Sequence, residues 1–125
     1  MATNKHLNIY QDAYRFCREV FRLKQKMPKT LKYDLGEKLG EASLNVMKAI
    51  VVANGTQDKV KYLQKMALEI DALWVFLRMA YDFQGITRGE FQVMSEILVE
   101  ISDQNKSWLA WARKNKSLPD LNKNS

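Results

Sequence analysis

The chain has one cysteine (Cys17), one histidine (His6) and two prolines in 125 residues. A lone cysteine forms no internal disulfide, which excludes the stapled framework of a small secreted domain and suits a reducing compartment. With so few ligands, a zinc site of cysteine and histidine cannot be completed. The Glu-x-x-His pairs that a di-iron bundle needs on two helices are also missing. No glycine-rich phosphate loop is present. Glu69 and Asp71 stand two apart and so point to different faces of a helix, a poor acid–base pair. Cys17 falls on the apolar side of its helix with no histidine in the body of the chain to activate it. The expected thiol is buried and inert. These absences lead to the expectation of a protein that is not an enzyme and holds no cofactor and no metal. Hydrophobic runs are short as well. None approaches the roughly 20 residues that cross a bilayer, and Met1 to Phe16 has no continuous apolar stretch of the signal-peptide kind. The expectation is a cytoplasmic protein without a membrane partner.

What is present is helical periodicity. At 46% hydrophobic the chain can bury a core, and its length suits one domain. The strongest stretch is Val60 to Phe83. Val60, Leu63, Ala67, Ile70, Trp74, Leu77 and Tyr81 recur at steps of three and four and predict one helical face. From Ala72 to Tyr81 only Arg78 is polar. A helix apolar nearly all round must be covered on more than one side. Its own neighbours cover one side, and a second copy of the chain is expected on the other, through Trp74, Phe76, Arg78 and Met79.

Three further helices follow from the same pattern. Ile9, Ala13, Phe16, Cys17, Val20, Leu23 and Met27 mark the inner side of the first, and Met27-Pro28 ends it. The second is expected from Thr30 as N-cap, with Leu35, Leu39, Ala42, Val46, Ala49 and Ala53 inward, and Asn54-Gly55 stops it. Small residues at Gly36 and Gly40 permit close approach of a neighbour. Thr56 is the expected cap of the third helix. Thr87-Arg88-Gly89-Glu90 reads as a capping box opening the fourth, whose inner face is Phe91, Met94, Ile97, Leu98, Ile101, Trp108 and Ala112. Asn105 falls in that register, either as a polar residue that sets pairing or at a rim. Short links make sequential helices antiparallel. The expected architecture is therefore all-α, an up-down-up-down four-helix bundle over residues 1–115, with helices at about 8–27, 30–54, 57–84 and 88–114. A flexible polar tail is expected over 116–125.

The net charge of +6 is concentrated. Residues 1–32 hold eight Lys/Arg against two acids, and residues 33–125 hold twelve of each sign. Arg15, Arg18, Arg22 and Lys26 fall on one exposed arc of the first helix, and Lys29 and Lys32 follow at its end. These six are the expected phosphate contacts of a polyanionic partner, against the simpler reading of a solvated helix face. Glu96, Glu100 and Asp103 form an acidic stripe on the last helix.

Three segments carry a family resemblance. Met27-Pro28-Lys29 with Lys32-Tyr33 and Leu35-Gly36 is similar to the first helix junction of a group of small bacterial four-helix-bundle proteins. Leu77-Arg78-Met79-Ala80-Tyr81 with Ile86-Thr87 is similar to their later junction, and Ile101 to Trp108 to the end of their last helix. The group comprises the accessory variability determinant (Avd) of diversity-generating retroelements and the proteins encoded in intervening sequences of 23S rRNA genes. Met47 to Gly55 lacks the glutamate of the pattern typical of the second branch, so the chain resembles Avd more closely. That resemblance implies a ring- or barrel-like homopentamer with a basic surface. It also implies binding of RNA or RNA/DNA and partnership with a reverse transcriptase in mutagenic cDNA synthesis. The alternative is a protein-interaction scaffold, or an intervening-sequence-type protein, without direct nucleic-acid binding.

Overall fold

The computed structural model describes the backbone of residues 2–124 and the side chains of residues 8–115. It contains five helices: α1 (Ala2–Lys26), α2 (Lys29–Lys32), α3 (Leu35–Asn54), α4 (Val60–Asp82) and α5 (Arg88–Asn124). No strand occurs among the described residues. The side chains of the expected tail, 116–125, lie outside the described ones.

Four long helices close into a ring of neighbours, with α1 between α3 and α5 and α4 between the same two. Cross-links fix their directions. Lys24 pairs with Glu37 and Cys17 with Ser43, so α1 and α3 run antiparallel. Lys26 pairs with Glu90 and Asp12 with Gln104, so α1 and α5 do too. Tyr81 stacks on Phe91 at 4.8 Å between ring centres, and Asn105 reaches Leu63 at the other end of α4. The apolar residues between the helices form one contiguous core.

In α1 every expected inward residue from Ile9 to Met27 is buried. The small residues of α3 do what their size suggests. A Cβ at Gly40 would lie 3.3 Å from the ring of Phe21, so the two helices pack closely there. The last helix opens on the expected capping box. The Thr87 amide donates to Glu90 Oε1 at 2.9 Å and the Glu90 amide donates to Thr87 Oγ1 at 3.1 Å.

Three expectations change. The helix expected over 30–54 is divided: α2 follows Pro28, and the chain turns at Tyr33-Asp34 before α3 begins. The break lets Leu31 pack on the end of the core, out of line with α3. Thr30 is not a cap, nor is Thr56; α4 begins after Lys59, with no side-chain cap. The buried face of α4 is Leu63, Met66, Ile70, Leu73, Leu77 and Ala80. The expected face is therefore rotated: Val60, Ala67, Trp74 and Tyr81 are half-buried at its edge. A helix apolar on most sides has no unique phase, so periodicity alone does not choose between these rows.

Asn105 is 2% exposed, which removes the rim reading. Its Nδ2 donates to the Leu63 carbonyl at 3.3 Å, tying α5 to α4. Its Oδ1 has no partner among the described residues.

The turn after α4 is closed by a pair of bonds. The Gly85 amide donates to the Ala80 carbonyl at 2.7 Å and the Gln84 amide to the Tyr81 carbonyl at 3.0 Å. This Schellman arrangement needs a left-handed residue, usually glycine. Here Gln84 takes it, at φ 64°. At the next position, Gly85, an added Cβ would come 2.9 Å from the movable end of Leu31 and 3.3 Å from the Ala80 carbonyl oxygen.

Candidate nucleic-acid interface

Burial of one side of α1 obliges the opposite side to face water. Arg15, Arg18, Arg22 and Lys26 are all exposed, as is Lys29 of α2, while Lys32 is half-buried with its ammonium 5.8 Å from the Tyr33 ring centre. The six expected residues thus run along the outside of α1 and over its end.

They are not equally available. Arg22 is engaged by Glu19, with Nε 2.9 Å and an outer guanidinium nitrogen 2.6 Å from Oε1. Lys26 Nζ donates to Glu90 Oε2 at 2.6 Å. Lys26 and the Thr87 amide together hold the Glu90 carboxyl below the usual carboxylate range. Arg15, Arg18 and Lys29 make no ion pair among the described residues.

The packing of α5 beside α1 adds acids to this side of the molecule. The Lys26–Glu90 and Asp12–Gln104 links set a register in which Arg15 lies level with Ile101. Asn8, Gln11 and Asp12 share a groove with Glu100, Asp103, Gln104 and Ser107. Glu100 and Asp103 of the acidic stripe therefore face the early part of α1, while Glu96 lines a separate groove with Tyr81 and Phe91.

A further basic cluster lies on α4. Lys61 and Lys65 both place their ammonium groups over Tyr62, at 5.0 and 5.8 Å from the ring centre. The sequence signal for it is local, two lysines four apart with a tyrosine between them. It is masked by the balanced charge of residues 33–125 taken together. Lys59 beside it has a structural task. Its Nζ donates to the carbonyls of Ala53 and Thr56, each at 2.8 Å, closing the end of α3 where cations suit the helix dipole. Burial lowers its pKa.

The residues expected at an oligomer interface are spread around α4 rather than gathered on one face. Trp74, Phe76 and Met79 are half-buried against the protomer's own core. Arg78 pairs with Asp82, Nε to Oδ1 3.1 Å, within the helix. Farther out stand Leu68, 69% exposed, and Val75, 56% exposed. A second apolar strip runs along the α1–α3 seam. Tyr10 and Tyr14, stacked at 6.3 Å, lie there with Phe21, Leu44 and Val51.

Among the described residues no cluster of histidine, cysteine, aspartate and glutamate could hold a metal ion. No helix there is long and apolar enough to cross a membrane. The Cys17 thiol is buried and donates to the Ser43 carbonyl at 3.2 Å. Burial pushes its pKa up, opposed in part by that hydrogen bond.

These features define an all-helical antiparallel bundle with exposed cations on its first helix and apolar strips on two separate sides. The bAvd-like family model matches residues 7–112. The chain belongs to that bAvd-like family. Comparison with curated proteins finds no match.

Proposed function

We propose that the chain is a non-catalytic accessory protein of the retroelement kind. In this reading it binds RNA or an RNA/DNA hybrid and partners a reverse transcriptase during mutagenic cDNA synthesis in the cytoplasm. The observation that carries it is the family match over residues 7–112. The exposed Arg15, Arg18 and Lys29, unpaired among the described residues, are compatible with it. Arg22, Lys26 and Lys32 complete the proposed contact set. With no base-reading motif, contact is to the backbone and to shape.

Assembly belongs to the same proposal. The apolar strip at the α1–α3 seam and the one on α4 are different surfaces. When one copy's first surface meets the next copy's second, the contact is head-to-tail, and such contacts close into a ring if the rotation allows. A pentamer is the closed form proposed. Five copies of a short basic stripe would act together, so weak single contacts sum to useful affinity.

Binding anisotropy with a labelled, structured RNA tests the reading. If about six phosphates are neutralised, affinity falls on the order of 10³-fold between about 50 and 200 mM salt. Reversing Arg15, Arg18 and Arg22 to Glu abolishes binding while helical content is kept. Retained binding in that variant would move the contact elsewhere, with Lys61 and Lys65 next in order. The groove that holds Asp12, Glu100 and Asp103 supports a second reading, a scaffold for a protein partner alone. No RNA binding even at low salt would select it.

A further inference from the structure

One end of the bundle, where α1 stops, α2 crosses and α4 turns into α5, carries two open aromatic rings. Tyr33 is 62% exposed and Phe83 55% exposed. The segments holding them meet, because the α4–α5 turn packs on α2 through Gly85 and Leu31. The turn is held by the bonds that fix Gln84 and Gly85 to the end of α4.

The charge at this end is unbalanced once pairs are removed. Its acids are Asp34, Glu37, Asp82 and Glu90. Lys24 engages Glu37, Arg78 engages Asp82 and Lys26 engages Glu90. Lys29, Lys32, Lys38 and Arg88 remain without an ion pair among the described residues, against Asp34 alone. The Lys32 ammonium stands over the Tyr33 ring. Exposed rings alone would serve a protein partner as well. Rings at an end where unmatched cations outnumber the one free acid favour a polyanion that also has flat faces to offer.

We propose that this end of the bundle binds unpaired nucleotides, with Tyr33 and Phe83 stacking on bases and Lys29, Lys32 and Arg88 meeting the adjoining phosphates. In a duplex the base faces are covered by one another, whereas a single strand can lay them on aromatic side chains. The proposal rests on the nucleic-acid reading above and adds what that reading lacks, a preference for single strands.

The test uses the full chain and two labelled probes at one fixed salt concentration: an unstructured RNA of about 16 nucleotides and the duplex of the same sequence. Tyr33→Ala with Phe83→Ala weakens single-strand binding on the order of 10- to 100-fold, from about tenfold per stacked base. It leaves duplex binding nearly unchanged. Tyr33→Phe with Phe83→Tyr keeps both rings and keeps wild-type affinity, which separates stacking from misfolding. Equal loss on both probes, or no loss, overturns the proposal and returns the rings to a protein contact. Wild-type binding of the duplex alone overturns it while the nucleic-acid reading survives. Binding of neither probe sinks both.

Discussion

Helices α1 and α4 fill opposite corners of the same bundle and treat their outer faces in opposite ways. The outside of α1 carries Arg15, Arg18, Arg22 and Lys26, with its exposed rings kept to the α3 side; the outside of α4 carries Leu68 and Val75 among its charges. In α1 the polar side contrasts with the apolar side, and the buried row is fixed by that contrast. In α4 the contrast is weak, and the buried row is chosen by the neighbours it meets. A helix that does not declare which side is inside has more than one side to cover. The difference separates a face suited to ions from a face suited to another protein surface.

The largest effect is expected at the outside of α4. Leu68→Glu with Val75→Glu should reduce the solution mass from that of an assembly to the 14.6 kDa of one chain, measured by light scattering. Arg18→Glu on α1 should leave the mass unchanged. A mass insensitive to the α4 pair would mean that no copy covers this face.

Next comes the phase of α4. Leu73→Ala removes a side chain from the core and should lower unfolding stability by about 3 kcal/mol in a denaturant titration. Trp74→Ala, at the edge, should lower it by about half as much despite its larger ring. A greater loss at Trp74 than at Leu73 would mean that the open part of the indole is covered in the assembly.

A smaller effect is expected at the start of α5. Thr87→Ala should cost about 1 kcal/mol through the lost cap. Glu90 adds a pH dependence. Its carboxyl is more acidic folded than unfolded, so ionisation favours the fold. That contribution is complete above the ordinary glutamate value of about 4.3. It is lost as pH falls through the lower folded value. Glu90→Gln should therefore be less stable than wild type near neutrality, with the gap closing in acid. A gap independent of pH would assign the loss to geometry alone.

The smallest effect has the opposite sign. Gln84 holds a left-handed conformation that glycine adopts without strain, so Gln84→Gly should raise stability by about 0.5 kcal/mol. A loss would show that the glutamine side chain contributes more than its backbone strain removes.

The inward row of α1, the stop at Met27-Pro28, the end at Asn54-Gly55 and the Thr87–Glu90 capping box could all be read from residue order, because each depends on atoms a few residues apart. The turn at Tyr33-Asp34 could not. It serves the packing of Leu31 against Gly85, a contact between distant parts of the chain. The groove shared by Asp12, Glu100 and Asp103 was hidden for the same reason: each acid is visible on its own helix, but only the pairing of α1 with α5 brings them to one groove. The prominence of Tyr33 and Phe83 was likewise invisible, since an aromatic residue at a junction gives no sign of whether the corner folds over it.

Cys17 gives the molecule a clock. It is the only thiol in the chain, it is buried, and its hydrogen bond to Ser43 spans the seam between α1 and α3. A thiol reagent can reach it only when that seam parts. The labelling rate therefore counts openings of the α1–α3 seam, with no engineered probe. A ligand bound across both helices would slow that clock, and one bound to α1 alone would leave it running.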